Sequence, residues 1–298
     1  MRFDIQQFLR AVIIAAFAAF FLKLHVAGEI TKYVNPKYDV MSQMAAGIFV
    51  FLFFIQMSRV WVNSQGDHEN CTAGCSHHHG EEASFPKKCI SYGILILPLI
   101  TGFSLSPETL NSTMAENKGM ILTKGDAANT DTEPEQSLPN TNKNGLHETD
   151  PLPNNNYMQE EKYQAEMERL HEIEDINMQK NLFSSYHDDI SLHPREFAGK
   201  KIKLKGFVYR EEGLPSNQLI MSRFLITHCI ADSVVIGLLT EFEQADAFEE
   251  DQWMEIEGIL DVTTYKGAEV PVVKAKRGRV IEEPSEPYVY PVLRRAAD

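Results

Sequence analysis

The stretch Phe49-Val50-Phe51-Leu52-Phe53-Phe54-Ile55 forms the centre of an apolar run that extends from Val40 to Val62. This run carries no charged residue before Arg59, and Trp61 stands where an aromatic side chain meets the membrane interface. An apolar segment of about 20 residues is long enough to cross the hydrocarbon core of a bilayer as a helix. The run therefore predicts a transmembrane helix.

A second apolar run precedes it, from Phe8 to Val26. Arg10 and Lys23 bracket its uncharged centre, and their long side chains can reach the two membrane interfaces. A cleaved signal peptide is the alternative interpretation, because small residues follow at Ala27-Gly28. We expect an uncleaved membrane span, since further spans follow in the chain.

A third apolar run, Ile90 to Leu105, is shorter and contains Gly93, Pro98 and Gly102. Membrane helices tolerate these residues, so we expect residues 1–105 to cross the membrane three times. Two spans with a re-entrant third segment is the alternative. The distribution of Lys and Arg slightly favours a cytoplasmic N-terminus, which would place the C-terminal domain outside the cytoplasm.

The loop at 63–88, between the second and third runs, is rich in cysteine and histidine. Its candidate metal ligands are His68, Cys71, Cys75, His77, His78 and His79. Thiolates and imidazoles bind zinc and other divalent transition metals, so the loop predicts a labile site for such an ion. The alternative is a solvated loop with incidental histidines, because the spacing matches no closed zinc-finger pattern.

Residues 106–155 are dominated by Asn, Thr, Pro, Asp and Glu, and we expect a disordered polar linker there. The next segment, 156–182, predicts a helix whose apolar stripe is thin: Tyr163, Met167, Leu170 and Ile173. Such a helix is typical of a solvated spacer.

Residues 183–298 are expected to form a soluble β-rich domain. Polar and apolar residues alternate from Lys201 to Tyr209, as in a half-buried strand. Further strand regions are predicted at 219–230, 233–239, 253–260 and 269–280, with a short acidic helix or loop at 242–251. Five strands and one short helix favour a small all-β barrel of the OB type.

A second candidate site lies in this domain, at His228-Cys229-Ile230-Ala231-Asp232. His228, Cys229 and Asp232 are all competent metal ligands, but adjacent strand residues point to opposite faces. His228 and Cys229 could share an ion only at a bulge or strand end. The alternative is a small buried thiol beside an exposed imidazole, with Asp232 accepting a turn hydrogen bond.

Charge and motif content exclude several classes of protein. The chain has 28 Lys and Arg against 42 Asp and Glu, a net charge of −14, which argues against nucleic-acid binding. It contains no Gly-rich phosphate loop, no G-x-S-x-G elbow and no H-E-x-x-H pair, so we expect no enzymatic activity. A thiol enzyme using Cys229 is the lesser alternative, with poor geometry beside His228.

The series from Gly199 to Arg210, the pair Arg223-Phe224, the segment His228 to Ser233 and the sequence Asp251-Gln252-Trp253 resemble the YcgQ-like family of bacterial membrane proteins. The resemblance covers nearly the whole chain outside the linker. It implies a multi-pass protein of the bacterial cell membrane that acts as a permease subunit, with the lipid bilayer and a multi-span permease of the YcgR/YraQ type as partners. Many relatives have a Cys-Cys pair where this chain has His228-Cys229, which leaves metal ligation possible but not a dithiol role.

The sequence therefore predicts a membrane-anchored accessory subunit of a permease that handles a divalent metal such as zinc. The predicted spans contain few polar residues, so the chain does not resemble a carrier that forms its own pathway. The alternative is a membrane-tethered module that binds a ligand or a protein and has no metal role.

Overall fold

The computed structural model describes residues 2–3, 5–62, 85–105, 109–118, 120–121 and 156–295. The chain divides into two compact units. The helical unit comprises Met1–Tyr33 and Tyr38–Glu108, and the β-rich unit comprises Val34–Lys37 and Thr109–Asp298. Four residues from the connection between the first two long helices thus belong to the β-rich unit.

The helical unit contains three long helices and one short strand pair. The elements are β1 (Arg2–Phe3), α1 (Ile5–Val26), α2 (Asp39–Val60), β2 (Trp61–Val62) and α3 (Phe85–Ser104). β1 and β2 pair in antiparallel orientation. Two segments are long and apolar enough to cross a membrane, Ile5–Val26 and Pro36–Val60, whereas the apolar part of α3, Ile90–Ser104, is shorter. Two of the three predicted spans are therefore candidates by length and composition.

Aromatic side chains hold α1 and α2 together. The ring of Phe49 stacks on Phe17 and Phe21, with ring centroids 5.7 and 5.8 Å away. Phe20 meets Phe103 of α3 edge to face, at 5.5 Å. The opposite faces of the helices leave large apolar side chains uncovered. One of these is Phe54, which is 65% exposed. Apolar outer faces on packed helices are what a lipid environment requires.

The β-rich unit contains short helices and the main sheet. Its elements before the sheet's long strands are α4 (Ser112–Lys118), β3 (Met120–Ile121), β4 (Tyr157–Gln159), α5 (Glu160–Glu172), β5 (Asp175–Asn177), α6 (Phe183–Leu192) and α7 (Pro194–Phe197). The long strands and the last short strand are β6 (Lys201–Tyr209), β7 (Gln218–Leu225), β8 (Val234–Glu241), β9 (Trp253–Tyr265), β10 (Ala268–Val280) and β11 (Leu293–Arg295).

The main sheet has seven strands in the order β10-β9-β6-β7-β8-β3, with β5 also paired to β6. β10 pairs a second time, in parallel with β8, where Val272–Lys274 face Leu239–Glu241. The two ends of the five-strand run β10-β9-β6-β7-β8 are therefore joined. β4 and β11 form a separate parallel pair.

The main core of this unit lies between the sheet and the helices before it. Ile202 and Leu204 of β6 are buried in it together with Phe183 of α6. Gly206, at the next inward position, has no room for a side chain, since a Cβ there would lie 2.6 Å from the Ser222 carbonyl oxygen. Close approach of β6 and β7 thus requires glycine at this position.

The predicted linker at 106–155 is shorter than expected, because part of it folds into the β-rich unit. α4 and β3 lie within it, and β3 pairs in parallel with β8. Leu110 and Ala115 are buried, and the Leu110 N–H donates to the Tyr288 hydroxyl. Isolated apolar residues in a polar segment gave no periodic signal, yet Leu110 and Ala115 belong to a buried cluster of this unit. The remainder of the predicted linker lies outside the described residues.

The predicted spacer helix at 156–182 differs from the structure in extent and in role. The helix, α5, ends at Glu172, and the chain continues as β5 and a turn at Lys180–Leu182. Leu170 is fully buried in the main core, and Met167 and Ile173 pack against it. A thin apolar stripe was sufficient to anchor the helix to the core, so this helix is a structural part of the β-rich unit.

The strand predictions match closely. The strand predicted from Lys201 to Tyr209 is β6, with the same limits. The second predicted strand region, 219–230, is longer than β7, which ends at Leu225. The acidic segment at 242–251 contains only one helical turn, Ala245–Ala247.

Candidate functional site

The cysteine- and histidine-rich loop cannot be compared with the structure. Its six candidate ligands, His68, Cys71, Cys75, His77, His78 and His79, lie outside the described residues. The metal prediction for this loop therefore stays a prediction.

The second candidate, His228 to Asp232, is a turn between β7 and β8. Cys229 directly precedes one helical turn, Ile230–Asp232. The carboxylate of Asp232 accepts the backbone N–H groups of His228 (2.8 Å) and Cys229 (2.9 Å), and its Oδ2 lies 2.7 Å from Nδ1 of His228. The oxygens of this carboxylate are thus engaged in closing the turn. This is the structural alternative that the sequence allowed for Asp232.

A segment from the connection between α1 and α2 is attached to this turn. Val34 forms an antiparallel bridge with Cys229, and the Asn35 N–H donates to the His228 carbonyl oxygen (2.9 Å). The Asn35 side-chain amide donates to the carbonyl oxygens of Ile226 and Thr227, both at 3.0 Å. Asn35 is 3% exposed. We call residues 34–37 together with residues 226–233 the docked turn.

The docked turn does not assemble a metal site. Across the residues that the structure describes, no three His, Cys, Asp or Glu side chains are placed to hold a metal ion. His187 is buried, and its Nε2 lies 3.1 Å from the Gly237 carbonyl oxygen. The Cys229 thiol is free and partly exposed.

A ring of imidazoles and carboxylates lies at the ends of α5, α6 and α7. His171 contacts Asp189 through Nε2 (2.9 Å) and Glu196 through Nδ1 (3.3 Å). His193 faces the same two carboxylates at 3.9 and 3.8 Å. These contacts connect the three helices, and among the described residues no such group of side chains is placed to hold a metal ion.

The β-rich unit contains a basic groove of about 450 Å³ that no sequence pattern predicted. Four cationic side chains and one loop contribute to its walls: Lys180, Lys203, Lys205, Arg223 and residues 284–286. A concave site of this size is typical of a small-ligand pocket. We call it the basic groove.

Arg223, on β7, is the most buried cation of the groove, with 4% of its surface exposed. Its terminal nitrogens donate to the carbonyl oxygens of Lys205 and Glu286, both at 3.3 Å. Its Nε has no hydrogen-bond partner among the described residues. The guanidinium packs against the rings of Trp253 and Phe183, 5.0 and 5.8 Å from their centroids. Burial lowers the pKa of Arg223 to about 10.

Lys180 stands beside Arg223 at the start of the turn that leads into α6. Burial, and then the nearby charge of Arg223, lower the pKa of Lys180 from 10.5 to about 8, although Glu286 is its ion-pair partner. Glu286 therefore has two contacts in the groove, since its carbonyl oxygen accepts from Arg223 and its carboxylate pairs with Lys180.

The neighbouring Glu255 is a buried charge that, unlike Arg223, has counter-ions. Glu255 is 6% exposed and lies 2.9 Å from Lys203, 3.4 Å from Lys205 and 3.0 Å from Arg279. The hydrogen bond from Lys203 is the largest of the effects that lower the pKa of Glu255. By contrast, the partners that the described residues give Arg223 are carbonyl oxygens and aromatic rings.

Comparisons with known proteins fit this arrangement of an apolar helical unit and a β-rich unit. The model of the DUF1980 N-terminal domain matches residues 9–121, and that of the DUF1980 C-terminal domain matches residues 154–291. The chain belongs to the DUF1980 family. Together the two matches cover both the helices and the main sheet.

Two curated relatives of this DUF1980 chain are similar over almost their full lengths. UPF0703 protein YcgQ of Bacillus subtilis (strain 168) is 28% identical over 294 residues, which are 94% of this chain and 98% of the relative. A Streptococcus mutans protein named "Putative two-component membrane permease complex subunit" is 25% identical over 292 residues, 96% of this chain and 100% of the relative. The resemblance to the YcgQ-like family is thereby confirmed.

Proposed function

We propose that this chain is a membrane-anchored accessory subunit of a two-component permease. The name of the Streptococcus mutans relative supports a role as a permease-complex subunit. The attachment of Asn35 to the turn at 226–229 is the structural observation that carries the proposal. A subunit built in this way couples the connection between its membrane helices to a folded soluble unit.

The partner that we propose is a multi-span permease of the YcgR/YraQ type. The test is co-expression of the full-length chain with the YraQ-type permease of the same genome, followed by purification in mild detergent through a tag on the permease. We expect co-elution at a fixed ratio, and none with an equally tagged multi-span protein of another family. Co-elution with both, or with neither, would contradict the proposal.

We also propose three membrane crossings. Residues 34–37 lie between α1 and α2 in the chain but are part of the β-rich unit, as is the chain from Thr109 onward. Two segments of one folded unit must lie on the same side of the membrane. After α1 and α2, the chain can return to that side only by crossing once more, and α3, with its apolar part Ile90–Ser104, is the helix available for this crossing.

Reporter fusions test this topology. Alkaline phosphatase and green fluorescent protein would be fused after residues 36, 62 and 108 and at the C-terminus. We expect residues 36, 108 and 298 on one side and residue 62 on the other. The charge distribution favours the extracytoplasmic side for the first three, so they should give phosphatase activity. Residues 62 and 108 on one side would contradict a third crossing.

For the β-rich unit we propose an OB-like barrel. The pairings β6–β7, β7–β8, β8–β10, β10–β9 and β9–β6 form a closed circuit of five strands, which supports closure. Barrels of this type bind ligands on an exposed face or between loops, so the proposal agrees with a module that binds a partner or a small ligand.

Handling of zinc or another divalent transition metal is the finer part of the proposed function, and it rests on the loop at 63–88 alone. The test is a zinc titration of the full-length protein in detergent, beside Cys71→Ser/Cys75→Ser and Cys229→Ser variants. Stoichiometric binding that the double variant loses would support a loop site. Loss only in the Cys229 variant would move the site to the docked turn, and no binding in any form would remove metal handling from the proposal.

A further inference from the structure

The basic groove has the composition of an anion site. Arg223 is a buried cation whose Nε lacks an acceptor among the described residues, and its two hydrogen bonds are long at 3.3 Å. A guanidinium carries five N–H donors in a planar fork that matches an oxyanion. The aromatic rings of Trp253 and Phe183 support its plane but offer no acceptor in that plane. The groove thus provides donors in excess.

The position of Glu286 shows where an anion would lie. Its carboxylate pairs with Lys180, and its carbonyl oxygen accepts from Arg223. Glu286 and its neighbours Pro284 and Ser285 form a loop with a bend at Ser285 and Glu286 along the groove wall, rather than a strand or helix. The pairing therefore rests on a loop that can move away without unpairing a strand.

We propose that the basic groove binds a small oxyanion, a phosphate-like or carboxylate group, between Arg223 and Lys180, and that Glu286 occupies this place in the absence of the ligand. The ligand would displace the Glu286 carboxylate from Lys180 and accept hydrogen bonds from both cations. This inference goes beyond the proposed permease role and does not depend on it.

Arg223 differs from the other cations of the groove in having no carboxylate partner among the described residues. Lys203 and Lys205 on the same wall are already paired with Glu255. Within the groove, an anion therefore meets positive charge without a carboxylate partner at Arg223 and, once Glu286 has moved, at Lys180.

The chain carries a fluorescent probe at this site. It has two tryptophans, Trp61 in the helical unit and Trp253 against the Arg223 guanidinium. In a Trp61→Phe background, the full-length protein in detergent would be titrated with sodium sulfate, sodium phosphate and sodium acetate. Sodium chloride at equal ionic strength provides the reference. We expect a saturable change in Trp253 emission with at least one oxyanion and none with chloride.

The three salts distinguish the sources of the ligand group. A stronger response to sulfate and phosphate would indicate a tetrahedral ligand, and a stronger response to acetate would indicate a carboxylate. Both results support an oxyanion site. A response to all salts that follows ionic strength alone would overturn the proposal.

Variants separate binding from folding. Arg223→Met and Lys180→Met should weaken binding at least tenfold, whereas Glu286→Gln should strengthen it several-fold because the competing carboxylate is gone. The matched control is Lys201→Met, since Lys201 forms an exposed ion pair with Asp175 away from the groove. Glu286→Gln keeps the loop length and the backbone carbonyl, so it is expected to fold even if Arg223→Met does not. Weaker binding in Glu286→Gln, or equal loss in Lys201→Met, would contradict the proposal.

Discussion

The docked turn and the basic groove lie in the same β-rich unit, and they use their polar groups in opposite ways. In the docked turn, the Asp232 carboxylate and the Asn35 amide are matched by N–H and carbonyl groups of the backbone. In the basic groove, the Arg223 guanidinium retains a donor without an acceptor among the described residues. The matched polar groups of the docked turn stabilise the fold, whereas the unmatched donor of Arg223 is part of the anion site that we propose. The metal role predicted for His228 and Cys229 stays a prediction, and the structure shows both residues as part of this turn.

Among the variants that test this comparison, Asn35→Ala is expected to have the largest effect on stability. The variant leaves the carbonyl oxygens of Ile226 and Thr227 without their buried donor, and such losses cost about 3 kcal/mol together. For a unit of this size we expect the melting temperature of the full-length protein in detergent to fall by about 6–10 °C. The control is Asn217→Ala, at an exposed loop position. A drop no larger than that of the control would mean that the segment at 34–37 is not held by the turn.

Asp232→Ala is expected to have the next largest effect. It removes an acceptor that closes the turn through two backbone N–H groups and His228. Because this carboxylate is partly exposed, we expect a cost of about 2 kcal/mol, with sulfate affinity unchanged. Thermal unfolding and the Trp253 titration measure the two effects. Asp246→Ala, in the exposed turn at Ala245–Ala247, is the control. A change in sulfate affinity would break the separation between the two regions.

Arg223→Met should give the reverse pattern. Replacing a buried, incompletely paired cation by an apolar side chain of similar length is often nearly neutral, so we expect a stability change below about 1 kcal/mol. Sulfate binding, in contrast, should be lost. The same two measurements apply, with the exposed Arg277→Met as control. Strong destabilisation of Arg223→Met would place Arg223 among the structural groups, and the comparison would then fail.

The sequence predicts the features that have a period. The strand from Lys201 to Tyr209 alternates over its first five residues, and its limits are those of β6. The apolar run around Phe49 is long and uncharged, and it forms the helix α2. The attachment of residues 34–37 to the turn after β7 has no such signal, because it joins positions almost 200 residues apart through one side-chain amide and a short backbone pairing.

The basic groove could not be predicted for a related reason. Arg223 lies in a largely apolar strand, β7, and nothing in the sequence shows that its charge lacks a carboxylate partner. That fact depends on Lys180, Arg223 and Glu286 meeting from three separate segments. The pair Arg223-Phe224 did appear within the family resemblance, which was the one available signal. Conversely, His228 and Cys229 were predicted as metal ligands because of their residue types. Residue type alone does not show that the Asp232 carboxylate already accepts hydrogen bonds within the turn.

The smallest expected effect is the pH dependence of anion binding. Burial and the charge of Arg223 lower the pKa of Lys180 to about 8, so Lys180 is largely protonated at pH 7 and largely neutral at pH 9. A bound anion favours the protonated form, and affinity for the anion should therefore fall as pH rises through about 8. Sulfate keeps its charge over this range, so any change in its affinity reports the protein. We expect the dissociation constant for sulfate, measured by Trp253 emission, to rise several-fold between pH 7 and pH 9. In Lys180→Met the affinity should be weak and independent of pH, and a pH dependence that persists there would assign it to a group other than Lys180.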